Sequence, residues 1–170
     1  MHALIVGEQG VGKSTLIARV RQGLSRTETG LETVREAALA GDRGAPVYIY
    51  RVGEPRSRSE WNLCAYVRQG GREVFPRVFD RFAGFLEEDA PKGGLIVLDE
   101  LGFLESASPR FCETVLRVLD GPVPVIAAVK PADTPFLRAV RGHRNGRVFR
   151  IDEENRDTLA ETVLAFLREP

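Results

Sequence analysis

A glycine-rich segment near the start of the chain has residue types and spacing suited to binding phosphate. It reads Gly7-Glu8-Gln9-Gly10-Val11-Gly12-Lys13-Ser14. This is the pattern of a phosphate-binding loop (P-loop, or Walker A), in which successive backbone N–H groups and a helix N-terminus converge on one anion. We expect Lys13 to place its ammonium between the β- and γ-phosphates of a nucleotide, Ser14 to coordinate Mg²⁺, and Thr15 to touch the α-phosphate.

Two adjacent acids supply the second chemical feature. Asp99 and Glu100 directly follow the apolar run 95–98, the Walker B arrangement of a buried strand ending in carboxylates. In a parallel sheet, ligands bind at the carboxyl ends of the strands, so Asp99 should emerge beside the phosphate-binding loop and serve Mg²⁺ together with Ser14. Glu100 should reach the γ-phosphate and orient or deprotonate an attacking water. An adjacent base of this kind favours hydrolysis over transfer to a second substrate.

A parallel sheet is needed to bring these two sites together, and the pattern of the chain predicts one. Short apolar runs alternate with longer periodic segments, which is typical of a parallel sheet covered by helices. Residues 3–6 predict a buried strand leading into the loop, and residues 13–22 predict a helix leaving it. We therefore predict an α/β P-loop NTPase three-layer sandwich. The Asp99-Glu100 pair indicates the RecA/AAA-like subclass, with an additional strand and the sheet order 5-1-4-3-2.

The remaining elements are predicted from periodicity and turn residues, giving five or six strands and about five helices. Residues 73–88 carry phenylalanines at helical spacing, which indicates core packing. Ser108-Pro109 has the form of a helix N-cap followed by proline at the first helical position. Residues 155–168 predict a closing amphipathic helix. Residues 52–72, rich in Gly, Pro, Ser and Arg, suggest a loop, lid or insertion in a single domain that spans residues 1–170.

Three further segments share the spacing of motifs found together in one protein family. They are Thr29-Gly30-Leu31-Glu32-Thr33-Val34-Arg35, Asp99-Glu100-Leu101-Gly102-Phe103-Leu104-Glu105, and Glu154-Asn155-Arg156. With the phosphate-binding loop, they resemble the small nucleoside-triphosphatases of archaea, bacteria and animals whose human member is called cancer-related nucleoside-triphosphatase. The resemblance spans nearly the whole chain.

This resemblance implies Mg²⁺-dependent hydrolysis of ATP, GTP and other nucleoside triphosphates to the diphosphate and phosphate, with loose base preference. It extends the nucleotide site over Leu101, Gly102, Phe103, Leu104, Glu105 and Ser106. Two positions depart from the family pattern. Phe103 replaces a lysine, which removes a cation near the nucleotide, and Ala128 replaces a threonine.

Arginines near the C-terminus are candidates to complete the site, since phosphoryl transfer gains when a cation meets charge developing on the transferred oxygens. We select Arg141, Arg144 and Arg147 as possible arginine fingers, because they follow the predicted strand 123–129.

Composition narrows the classes of partner. Lysine plus arginine and aspartate plus glutamate each number 24, so the chain lacks the positive field that draws proteins onto nucleic acid or anionic lipid. No apolar stretch approaches the ~18 residues of a membrane helix. Cys64 and Cys112 match no metal-ligand spacing and are expected to be packed, reduced thiols. We expect a cytoplasmic monomer that binds nucleoside triphosphates and no membrane.

Two other functions remain open at this stage. The first is a small nucleotide or nucleoside kinase, whose acceptor pocket would have to involve the arginines at 51–58. The second is a nucleotide-gated module that binds RNA or protein through the basic segment 138–150. A kinase would release little phosphate until an acceptor is added, and an RNA-binding module would bind in a salt-dependent way.

Overall fold

The fold is taken from a computed structural model that describes residues 1–92 and 94–169. Gly93 and Pro170 lie outside the described residues. The strands are β1 (His2–Val6), β2 (Glu28–Arg35), β3 (Ala45–Arg51), β4 (Leu63–Arg68), β5 (Gly71–Val74), β6 (Leu95–Leu101), β7 (Val125–Val129) and β8 (Gly146–Arg150). The helices are α1 (Lys13–Leu24), α2 (Pro76–Asp89), α3 (Pro109–Asp120), α4 (Pro135–Arg141) and α5 (Leu159–Arg168).

The eight strands form one sheet in the order β5-β4-β3-β2-β6-β7-β1-β8. Strands β2, β6, β7, β1 and β8 are mutually parallel. Numbered by their appearance in the chain, these five parallel strands lie in the order 2-3-4-1-5, so the predicted order 5-1-4-3-2 is confirmed. Strands β3, β4 and β5 extend the sheet antiparallel beyond β2. This extension makes the sheet larger than the five or six strands predicted.

The two faces of the sheet bury two separate cores, which confirms the three-layer architecture. Alternate residues of β1 point to opposite faces, with Leu4 in one core and Ile5 in the other. Helices α2, α3 and α4 cover the first face, and α1 and α5 cover the second. A strand buried on both faces is apolar at consecutive positions, which is why 3–6 and 95–98 were recognisable as strands.

Helix α3 begins where the sequence indicates, whereas α2 begins at Pro76 rather than at 73, because residues 71–74 form β5. Pro76 occupies the first turn of α2, where its missing N–H breaks no helical hydrogen bond. Phe79 and Phe82 are buried, and the ring of Phe79 packs edge-on against Phe111 of α3. The phenylalanine stripe is therefore core. At the start of α3, the Ser108 hydroxyl accepts a hydrogen bond from the backbone N–H of Phe111, which confirms the predicted N-cap.

Two further predicted segments differ from the structure. The loop predicted over 52–72 holds strand β4, and its Cys64 and Ala65 are completely buried in the sheet. Its remaining irregular part is organised by buried Asn62, whose amide donates to the carbonyls of Ile49 and Ser57. The closing helix begins at Leu159 rather than at 155.

The late start of α5 has a local cause. The Asn155 side chain donates to the carbonyl of Arg150 and accepts from the N–H of Asp152. These side-chain bonds hold residues 152–155 in a turn that competes with helix formation.

Both cysteines are free thiols, with Cys64 buried and Cys112 half-buried, as expected. Over residues 1–92 and 94–169, no helix combines the length and the hydropathy needed to cross a membrane.

Candidate active site

The loop between β1 and α1 adopts a compact backbone that depends on glycine. A β-carbon on Gly7 would lie 2.6 Å from a side-chain carbon of Ile151 and 2.8 Å from its carbonyl oxygen, so no larger residue fits there. Gly10 and Gly12 have φ of 77° and 113°, a left-handed region that side chains rarely adopt. Gly12 caps α1, so the helix N-terminus opens toward the hollow of the loop.

Lys13, the first residue of α1, directs its ammonium back into the loop. Its Nζ donates to the carbonyls of Gly7 and Glu8, both at 2.8 Å, and lies 3.2 Å from Oε2 of Glu100. Only 5% of the side chain is exposed. A buried ammonium held by two carbonyls and one carboxylate is positioned to exchange one of those partners for an anionic ligand.

Ser14, in the first turn of α1, lies beside Asp99 of β6. The Ser14 hydroxyl donates to Oδ1 of Asp99 at 3.1 Å. Burial raises the pKa of the Asp99 carboxyl above its ordinary value, and the nearby charges of Glu100 and Glu32 add to the rise, while the Ser14 hydrogen bond opposes it. A cation placed at this oxygen pair would relieve the repulsion among these carboxylates.

The donor set at Ser14 and Asp99 suits a hard divalent cation. Both residues offer oxygen, and within residues 1–92 and 94–169 no cluster of three or more His, Cys, Asp or Glu side chains could hold a metal ion by itself. A cation at this point would complete its shell with water and a bound phosphate, which is how Mg²⁺ is usually held in phosphate-transferring sites.

Glu100 lies between two lysines. Its Oε2 faces Lys13, and its Oε1 lies 3.2 Å from Nζ of Lys130, the residue that follows β7. Lys130 was missed in the sequence analysis, since no motif surrounds it. The signal available was the rarity of lysine, because Lys13, Lys92 and Lys130 are the only three in the chain.

The segment after Glu100 lines a second, smaller cavity of about 180 Å³. Gly102, Phe103, Leu104 and Glu105 contribute to its wall, together with Lys130. Leu101 is instead buried in the core, and Ser106 is exposed. The Lys130 ammonium lies 5.2 Å from the centre of the Phe103 ring, so a cation from the segment after β7 stands beside the position where Phe103 replaces a lysine.

Glu105 shapes this segment from inside the protein. Its Oε2 accepts a hydrogen bond from the backbone N–H of Gly102 at 2.9 Å, and the side chain is buried. Burial raises the pKa of Glu105 to about 7 despite that hydrogen bond. Glu105 therefore fixes the turn after Glu100 and does not face the phosphate cavity.

The main cavity of the site, about 350 Å³ in volume, lies between the loop and the ends of β2 and β6. Its lining consists of Gln9, Gly10, Gly12, Lys13, Ser14, Thr15, Thr33, Asp99 and Glu100. Six of the predicted phosphate-binding residues, from Gln9 to Thr15, therefore share one cleft with both acids. Thr33, near the end of β2, also lines the cleft and was not among the predicted site residues.

The arginine candidates separate into two groups. Arg144 binds Asp120, and Arg147 lies over the rings of Phe149 and Phe166. Arg147 pairs with Ala3 in the ladder between β1 and β8, near the amino end of β1, whereas the phosphate-binding loop follows the carboxyl end of that strand. Arg144 and Arg147 of this chain therefore lie away from the phosphate-binding loop, and their role as arginine fingers stays a prediction.

Arg141 lies near the carboxyl end of β7. Its Nη1 donates to the carbonyls of Lys130 and Ala132 and so stabilises the turn after β7. The role of Arg141 as an arginine finger stays a prediction. Arg156 also lies near the loop, since its Cδ is 3.9 Å from the position that a β-carbon on Gly12 would occupy.

The arginines of the segment 51–58 are all engaged in ion pairs. Arg51 binds Asp89 and Glu54, Arg56 binds Glu32, and Arg58 lies 3.9 Å from Glu36. Because each already faces an acid, this segment does not present the cluster of free cations that an anionic acceptor would need.

Comparisons with known proteins agree with this geometry. The model of the family described as NTPase matches residues 2–164. Nucleoside-triphosphatase THEP1 of Thermotoga sp. (strain RQ2) is 30% identical over 176 residues, covering 99% of this chain and 96% of the relative. The corresponding protein of Methanothermobacter thermautotrophicus is 30% identical over 180 residues, covering 98% of this chain and 96% of the relative.

Two solved structures share the fold. The crystal structure of THEP1 from Aquifex aeolicus has a TM-score of 0.74 at 22% identity and covers 99% of this chain and 100% of its own. The solution structure of a human cancer-related nucleoside triphosphatase has a TM-score of 0.68 at 23% identity, with coverage of 98% and 97%. The family match over nearly the whole chain, together with the shared cleft, shows that this chain belongs to the NTPase family.

Proposed function

We propose that this chain hydrolyses the γ-phosphate of nucleoside triphosphates in a Mg²⁺-dependent reaction. The observation that carries the proposal is the meeting of the loop with the acid pair: Ser14 lies 3.1 Å from Asp99, and Lys13 lies 3.2 Å from Glu100. The two regions are distant in the chain, so their contact reflects the fold. The names of the relatives, which are nucleoside-triphosphatases, support the same reaction.

In this proposal the loop binds the triphosphate, and Lys13 moves its third contact from Glu100 to the phosphates. Glu100, on the side of the γ-phosphate, accepts a hydrogen bond from a water and aims it at phosphorus. When that water attacks, the bond from phosphorus to the diphosphate oxygen breaks, and the water proton passes to the Glu100 carboxylate. The products are the nucleoside diphosphate and inorganic phosphate.

Ser14 and Asp99 are the residues proposed to hold Mg²⁺. When bound, the ion would neutralise charge on the β- and γ-phosphates. Burial, with a smaller effect of Glu100 and Glu32, raises the pKa of Asp99, and this supports the role because a buried carboxylate near other acids is stabilised by a cation.

Loose base preference is part of the proposal. The described residues that line the main cavity are those of the loop, Thr33 and the acid pair, all suited to phosphates or a metal. None of these lining residues is aromatic, so base stacking is not a feature of this wall.

The test is phosphate release from ATP, GTP, CTP and UTP, each with and without Mg²⁺. We expect release from all four, within about tenfold of one another, and loss of release without Mg²⁺. Lys13→Ala should weaken nucleotide binding roughly 30- to 150-fold, because a charge-assisted contact is worth about 2–3 kcal/mol. Lys92→Ala is the matched control, since Lys92 is exposed and pairs with Asp89.

Two outcomes would overturn the proposal. Undiminished nucleotide affinity in Lys13→Ala would remove the phosphate clamp. Absence of phosphate until a nucleoside or nucleotide acceptor is added would instead identify a kinase.

A further inference from the structure

Glu100 is the only acid of the cleft held by two ammonium groups among the residues that the structure describes. Lys13 contacts Oε2 and Lys130 contacts Oε1, each at 3.2 Å. Glu100 and Lys130 are 27% and 30% exposed, so this pair is largely removed from solvent, unlike the surface pairs whose contribution is small.

The two lysines line different spaces. Lys13 borders the main cavity, where the proposed function places the triphosphate, and its ammonium is needed there. Lys130 borders the second cavity, which Glu100, Gln9 and Thr33 also line. The arrival of phosphate would therefore draw Lys13 away from Glu100 and leave Lys130 as the cation that holds the carboxylate.

Lys130 is fixed in place, unlike a typical surface lysine. Its backbone N–H donates to the carbonyl of Leu101 at 2.9 Å, and its own carbonyl accepts from Arg141 at 3.1 Å. Its Cδ passes so close to Gly102 that a β-carbon there would lie 3.1 Å away. Both the backbone and the stem of Lys130 are therefore held by the two segments that follow β6 and β7.

We propose that Lys130 is a positioning residue that holds one oxygen of Glu100, so that the other oxygen faces the attacking water. This inference rests on the proposed function. In the reaction, the water proton passes to the free Oε2 of Glu100 while Oε1 stays bound to the Lys130 ammonium, and Lys130 neither gains nor loses a proton. The expected consequence is an effect on turnover with little effect on binding.

The test compares kcat and KM for ATP with Mg²⁺ in Lys130→Met, Lys130→Arg and Lys92→Met. We expect Lys130→Met to lower kcat about 10- to 100-fold, the usual effect of losing a charge-assisted hydrogen bond, with KM within about threefold. Lys130→Arg should recover most of that loss because it keeps the cation. Lys92→Met should behave as the unchanged protein.

A double-mutant cycle separates this role from a general structural one. In a Glu100→Gln background, Lys130→Met should change kcat by less than about twofold, because its partner is already neutral. An equal loss in both backgrounds would overturn the positioning role, as would an unchanged kcat in Lys130→Met. If Lys130→Met folds poorly by circular dichroism, Lys130→Gln provides the same comparison with a polar side chain.

The cycle also distinguishes this inference from the proposed function. If Glu100→Gln alone leaves kcat unchanged, the assignment of Glu100 as the base fails, and the role of Lys130 fails with it. If Glu100→Gln lowers kcat and Lys130→Met does not, only the inference about Lys130 fails. A raised KM at constant kcat would make Lys130 a nucleotide contact instead.

Discussion

The substitution Glu100→Gln should slow turnover and tighten nucleotide binding at the same time. Without nucleotide, Oε2 of Glu100 competes for the Lys13 ammonium at 3.2 Å, and the carboxylate repels an incoming γ-phosphate. The amide removes that negative charge while keeping the size of the side chain. A lower kcat together with a lower Kd for nucleotide is a specific signature of this geometry.

The magnitudes follow from the environment of the pair. Glu100 and the phosphates compete for the Lys13 ammonium. Because Glu100 is 27% exposed, removing its charge should favour nucleotide binding by about 1 kcal/mol, which corresponds to a roughly fivefold lower Kd for the variant. Loss of a general base typically costs about 10²- to 10⁴-fold in rate, so kcat should fall by that amount.

The assay measures Kd by titration calorimetry with a non-hydrolysable ATP analogue and Mg²⁺, and kcat by phosphate release with ATP. Glu113→Gln is the matched control, since Glu113 is an exposed acid on α3. A Kd that rises more than about threefold in Glu100→Gln, or a kcat that stays within twofold, would refute the reasoning.

Three further predictions test other parts of the structure. Because the pKa of Asp99 is raised, nucleotide affinity in the presence of Mg²⁺ should begin to weaken on acidification at a higher pH than it would with an ordinary carboxyl. Asp99→Asn should remove most of the Mg²⁺ dependence of nucleotide affinity. Both effects can be measured by titration calorimetry. Ser108→Ala should cost about 1–2 kcal/mol, or roughly 2–8 °C in Tm by calorimetric scanning, because the N-cap and the bond to Asp80 are lost; an unchanged Tm would contradict this. Burial lowers the pKa of His2 from 6.5 to about 4 in the folded protein. As the pH falls below 6.5, the unfolded chain therefore binds a proton before the folded protein does, and the free energy of unfolding should decrease from pH 6.5 toward pH 4. Urea midpoints of His2→Gln should lose part of that pH dependence, and curves parallel to those of the unchanged protein would count against it.

The parts of the fold that could be predicted from sequence are those set by local patterns. A strand buried on both faces is apolar without interruption, so β1 and β6 were recognisable, and with them the loop and the acids at their ends. The N-cap at Ser108 is likewise a local signal. The order of the parallel strands followed from the acid pair and from the P-loop, because the fold class restricts the connections.

Strand β4 was missed because its signal is short and its surroundings are misleading. Residues 63–68 lie next to a loop rich in Gly, Pro, Ser and Arg, and composition over the whole segment indicated a loop. What makes 63–68 a strand is tertiary: Ala65 and Val67 pair with β3 and β5, and Cys64 is buried against the sheet.

The site shows the same division between local and tertiary signals. Lys13 and Ser14 belong to a motif, whereas Lys130 meets Glu100 only because β6 and β7 are neighbours in the sheet. Arg144 and Arg147 lie away from the loop for the converse reason. Their proximity in sequence to the strand 125–129 carried no information on which end of the parallel strands they would reach.

Hydrolysis at the γ-phosphate is tested most directly by where the oxygen of water enters. A single turnover of ATP with Mg²⁺ in water enriched in oxygen-18, with no acceptor added, followed by mass spectrometry of both products, measures this. We expect one oxygen-18 atom in the released phosphate and none in the diphosphate. Label in the diphosphate, or no phosphate release without an acceptor, would contradict hydrolysis at the γ-phosphate.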